Sequence, residues 1–87
     1  MINFKQMELS KDLFQKLKRM FSEIELVEIS ESPENPSAVW IHIRLPSDEE
    51  REIQLREIAS ELSTEILLNY GYSILISASG HAETTSF

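Results

Sequence analysis

The stretch from Ala38 to Ser79 restricts the fold of this chain more than any other feature. Residues 38–45, Ala-Val-Trp-Ile-His-Ile-Arg-Leu, alternate strictly, with Val39, Ile41, Ile43 and Leu45 on one side and Ala38, Trp40, His42 and Arg44 on the other. That is the period of two of a β-strand. Pro46 and Ser47 end the strand and open a helix predicted over 48–70. Ser47 with Glu50 matches a capping box, and Asp48, Glu49 and Glu50 crowd the first turn, where the helix dipole favours negative charge. Leu55, Ile58, Ala59, Leu62, Ile66 and Tyr70 make one apolar stripe. Gly71 suits the left-handed position that stops such a helix. A second alternating run follows over 72–79, with Tyr72, Ile74, Ile76 and Ala78 on one face and Ser73, Leu75, Ser77 and Ser79 on the other. A strand, a helix and a strand in this order imply a crossover connection and parallel strands.

Two further elements precede this unit. A helix is predicted over 10–22 from the stripe Leu13, Phe14, Leu17, Met20 and Phe21, with Ser10 as N-cap and Leu9 and Phe14 at the spacing of a hydrophobic staple. Residues 24–30 read as a strand whose alternation changes phase at Leu26–Val27, the signature of a bulge or a late start. Residues 31–37 hold two prolines and no apolar side chain, so they form a loop joining an antiparallel hairpin. The expected fold is α+β: a two-layer α/β sandwich of order α-β-β-α-β, with a three-stranded mixed sheet and two helices on one face. The whole chain, 1–87, reads as a single domain, with 1–9 as an N-terminal arm and 80–87 as a loose tail. Strand order is not readable from the pattern.

Composition narrows the function classes. Apolar content of 41% and charged content of 26% belong to a globular chain. There is no cysteine, which excludes disulfides and thiolate metal sites. No apolar run approaches the ~18 residues of a membrane span. The opening Met-Ile-Asn-Phe-Lys-Gln lacks the pattern of a signal peptide, so the expected location is cytoplasmic. The net charge of −7 works against binding to a phosphate backbone. That charge is uneven: residues 1–22 hold five bases (Lys5, Lys11, Lys16, Lys18, Arg19) and two acids, and the remainder holds three bases and thirteen acids. Either the two regions face each other or the first helix turns a basic face outward.

With the helices on one face of the sheet, Trp40, His42, Arg44 and Leu75, together with Leu26, fall on the other. Side chains two apart on a strand stand about 7 Å apart, and Trp and Arg are enriched at binding hot spots. This face is the expected docking surface for a second copy or another protein. The competing expectation is that the N-terminal segment (Ile2, Phe4, Met7) or the tail folds over Trp40. Leu68 lies off the main helix stripe and is expected to extend the partner surface. His42 has Glu25 and Glu28 as possible cross-strand neighbours, but no nucleophile elbow, HExxH pattern or cysteine accompanies it. His42 and His81 alone do not make a zinc site. No catalytic, cofactor-binding or metal-binding residues are therefore assigned, and no cofactor is expected. Glu50, Glu57, Glu61 and Glu65 form an acidic ridge on the long helix that reads as a solvated face.

The element order α-β-β-α-β resembles, in outline, the arrangement of KH-like ribosome-associated domains. That resemblance implies RNA contact through Lys11, Lys16, Lys18 and Arg19 of the first helix and the Trp40–Arg44 strand. The only glycines are Gly71 and Gly80, so the backbone-clamping Gly-x-x-Gly loop of those domains is missing, as is any RNP-like aromatic motif. The preferred expectation is a non-enzymatic protein–protein interaction or adaptor module, a homodimer that self-associates through the open sheet face. A KH-like RNA- or ribosome-associated domain using the basic first helix is the alternative.

Overall fold

The computed structural model describes residues 2–81 and places the alternating strand β2 (Ala38–Leu45) at the centre of a three-stranded sheet. On one side lies β1 (Glu25–Glu31), antiparallel to it; on the other lies β3 (Ser73–His81), parallel to it. The helices α1 (Phe4–Met20) and α2 (Glu49–Tyr70) complete the order α-β-β-α-β, an α+β fold whose mixed sheet is not closed into a barrel. Strand order is β1-β2-β3, so both outer strands are edges among the described residues.

The alternation of β2 decides where the core lies. Val39, Ile41 and Ile43 are fully buried and Leu45 nearly so, packed with Ile74 of β3 beneath Leu9, Leu13, Phe14 and Leu17 of α1 and Leu55 and Ala59 of α2. The phase change in β1 is a bulge: pairing passes from Leu26↔Ile43 to Glu28↔His42, leaving Val27 as the extra residue. The bulge also corrects one expectation, because Leu26 is set opposite Ile43 on the helix side of the sheet rather than on the open face.

The first helix starts earlier than its apolar stripe indicated. Asn3 is its N-cap; its side chain accepts from Gln6 N at 2.7 Å, and Gln6 Oε1 accepts from Asn3 N at 2.9 Å. This reciprocal pair satisfies two of the N–H groups a helix leaves open at its start. Residues 4–9 are therefore helical, not an arm folded over Trp40, and Phe4 is 83% exposed. Ser10, expected as the cap, is buried inside the helix and donates its hydroxyl to Gln6 O at 2.8 Å. In α2 the cap is Asp48 rather than Ser47, accepting from Glu50 N at 3.0 Å, and Gly71 closes the helix at φ +80°. β3 runs to His81, beyond the expected end of that strand, and residues 82–87 of the expected tail lie outside the described residues. Among the described residues, no helix is long and apolar enough to cross a membrane.

Part of the uneven charge is taken up in local contacts. Lys5 pairs with Glu8 and lies over the Tyr70 ring, 4.9 Å from its centroid. Lys18 donates to Ser22 O and Ile24 O, closing the end of α1. Arg51 at the start of α2 stacks on Phe21, donates to both oxygens of Glu23 and reaches Met20 O at 3.1 Å. Hydrogen bonding to Arg51 holds the Glu23 carboxyl below its ordinary range. A depressed folded-state value means that the pair stabilises the fold at neutral pH. The contribution is lost as pH falls through that lowered value. Glu23→Gln should lower the thermal midpoint near neutrality and flatten the acid side of the stability curve. Thermal unfolding of both proteins at a series of pH values checks this, and parallel acid slopes would count against it.

Candidate functional site

Trp40, His42 and Arg44 follow the buried Ala38 on the side of β2 that points away from the helices, and the pairing register sets their neighbours. Trp40 stands between Ser30 and Leu75, His42 between Glu28 and Ser77, and Arg44 opposite Glu25. Trp40 and Leu75 therefore sit side by side on adjacent strands, and Leu75 is 39% exposed. No third layer covers this face among the described residues; of the two competing covers, the N-terminal segment leads into α1 instead, and residues 82–87 of the tail lie outside the described residues.

Polar neighbours frame the apolar pair. His42 Nε2 and Ser30 Oγ are 2.8 Å apart; either the ring N–H donates to the hydroxyl or the hydroxyl donates to the bare ring nitrogen. Arg44 Nε lies 3.7 Å from Glu25 Oε1, with both side chains largely exposed, so this pair orients the guanidinium more than it stabilises the fold. A serine–histidine contact has the spacing of a nucleophile and its base, but catalysis also needs a cleft and donors placed for an oxyanion. His42 and Ser30 line neither the cleft between α2 and β3 nor the one between α1 and α2, and among the described residues no three His, Asp or Glu side chains converge as a metal site would require.

The cleft between α2 and β3 opens next to the apolar pair. It encloses about 330 Å³ between α2 and β3, walled by Ser60, Thr64 and Leu67 of the helix and Ile74 and Ile76 of the strand, with Trp40 and Leu75 at its margin. Ser63 Oγ donates to Ile74 O at its floor. The apolar surface thus continues from the open face around β3 to Leu67, which is 46% exposed.

Of the five expected interface residues, the structure brings together Trp40, His42, Arg44 and Leu75. It does not bring Leu68 to them. Leu68 is 79% exposed on α2, in the opposite layer, and does not line the cleft; the neighbouring Leu67 does. At 100° per residue the two diverge on the helix, and only Leu67 turns toward β3. The sequence pattern also missed Ser30 as the partner of His42. Its signal was parity alone: two serines and an imidazole on alternating positions acquire neighbours only when the register is known.

No family model matches this chain, and no curated protein or solved structure matches it.

Proposed function

We propose that the protein is a non-enzymatic interaction or adaptor module that self-associates through the Trp40–Leu75 side of its sheet. One observation carries the proposal: the single tryptophan and an exposed leucine lie side by side on a sheet face that no element of the described chain covers. Aromatic residues with an apolar neighbour and a polar rim form the usual energetic centre of a protein interface. Here the rim is His42 with Ser30 and Arg44 with Glu25. A domain of this size without disulfides gains from a partner that extends its buried surface.

Trp40→Ala tests the proposal. Hot-spot truncations cost 2 kcal/mol or more, so the self-association constant should fall by about thirtyfold or more. Sedimentation equilibrium reads the change, and circular dichroism verifies the fold. Unchanged association by a folded variant would sink the proposal. Added salt should leave association nearly unchanged, whereas binding built on the Lys11, Lys16 and Arg19 side of α1 to a nucleic acid would weaken steeply with salt.

A further inference from the structure

We infer that β3 is the edge through which two copies of this chain join, pairing antiparallel across a two-fold axis so that the sheet continues from one copy into the next. This rests on the proposal of a self-associating module and names the contact that would carry it.

The two edges of the sheet differ in kind. β1 carries Glu25, Glu28 and Glu31 and is bent by the bulge at Val27. Charges and bulges are the devices by which edge strands avoid pairing with other chains. β3, Ser-Ile-Leu-Ile-Ser-Ala-Ser-Gly-His, has nine residues with no proline and no Asp, Glu, Lys or Arg, and its own register shift against β2 falls past Ala78, leaving Ser73–Ala78 in regular pairing. Two copies meeting through β1 would bring together strands that each carry three carboxylates, one of them, Glu25, paired with Arg44. Through β3 they meet without that repulsion. The helix surface along the β3 edge keeps the same character: Ser60, Ser63, Thr64 and Leu67 line the cleft, and its one charged side chain, Arg56, is already paired with Glu52. The exposed Glu57, Glu61 and Glu65 do not line it.

The backbone is aligned for this pairing. Ser73 N donates toward β2, to Ser37 O, so Leu75 and Ser77 also direct their N–H and C=O groups inward. Ile74, Ile76 and Ala78 direct theirs to the outer edge, where Ser63 already meets Ile74 O. Among the described residues β3 pairs with β2 alone. A two-fold axis at Ile76 would let Ile76 exchange both bonds with its copy and Ile74, whose carbonyl has a second lone pair beside the one taken by Ser63, exchange with Ala78 of the other chain, the closely spaced pattern of an antiparallel ladder. Leu75 would then lie beside Ser77 of the other copy and the open face carrying Trp40 would become continuous across both copies, so Trp40 would act on the pairing only through its neighbour Leu75.

Ala78→Pro isolates the edge. Ala78 is exposed and its N–H points outward, so proline there removes a donor and obstructs the second strand without taking a bond from β2. Sedimentation of the wild type, Ala78→Pro and Trp40→Ala is the first measurement. The expected result is a dimeric wild type and a folded, monomeric Ala78→Pro. Amide exchange of the wild type at micromolar and millimolar concentration is the second, and it does not depend on any variant folding. Ile76 and Ala78 should gain roughly tenfold or more protection on association while Leu75 and Ser77 stay constant. A dimer that survives Ala78→Pro but not Trp40→Ala would overturn edge pairing and leave the face as the contact. Sensitivity to Ala78→Pro alone would keep edge pairing and remove Trp40 from it. A dimer indifferent to both, or a wild type monomeric at every concentration, would overturn both proposals, and protection without the alternation would overturn edge pairing.

Discussion

Ile41→Ala should lower the free energy of unfolding by about 2–5 kcal/mol, against a total of roughly 4–13 kcal/mol for a chain of this length. Ile41 is fully buried at the middle of the central strand, with Ile29 and Ile76 as its cross-strand neighbours and the two helices above it. Alanine would leave a void that neither adjacent strand can fill without breaking its own pairing, so the cost should lie toward the upper part of that range. Ile41→Val, which removes one methylene, should cost about 0.5–1.5 kcal/mol. Leu68→Ala, at a side chain 79% exposed, should stay within about 0.5 kcal/mol of the wild type. Urea unfolding followed by circular dichroism at one protein concentration checks the series, because self-association would otherwise add to the apparent stability. Similar costs for Ile41→Ala and Leu68→Ala would contradict the assignment of the core.

This contrast also shows what the chain reveals before it is folded. The period of β2 is unbroken, so its inward and outward residues, and with them three of the five candidate interface positions, were legible from alternation alone, and the alternation of β3 placed Leu75. The ends of α2 were nearly so, because Pro46, Asp48 and Gly71 punctuate it. Leu68 was misplaced for a geometric reason: an off-stripe helical leucine is known to avoid the core, but its direction relative to β3 depends on how the helix is rotated over the sheet. The special role of the β3 edge was hidden for another. Strand order decides which strand lies at an edge, and it follows from tertiary packing rather than from local pattern. Once the order β1-β2-β3 is known, the glutamates of β1 and the uncharged run of β3 acquire meaning.

The start of α1 was the largest local miss, and it leads to the second large effect. Gln6→Met should destabilise the protein by about 2–3 kcal/mol, since it keeps the side-chain length but leaves two backbone groups without their partner. Gln6 is buried; its Oε1 accepts from Asn3 N, and its Nε2 donates to Pro36 O at 3.1 Å. The first bond closes the helix start and the second holds the loop that leads into β2, where Ala38 N donates to Asn35 O. A polar residue between Lys5 and Met7 looked like part of an arm because its two partners are the cap beside it and a carbonyl thirty residues away. Gln6→Glu separates the two roles: it retains an acceptor for Asn3 N–H and loses the donor to Pro36, so it should keep the helix start while loosening the loop. Thermal unfolding gives the total cost for each variant. Amide exchange at Ala38 reports the loop, and at Asn3 the cap. Faster exchange at Ala38 in both variants, with Asn3 affected only in Gln6→Met, is the expected pattern. Exchange at Ala38 unchanged by either variant would mean that Gln6 does not hold the loop two residues before Trp40.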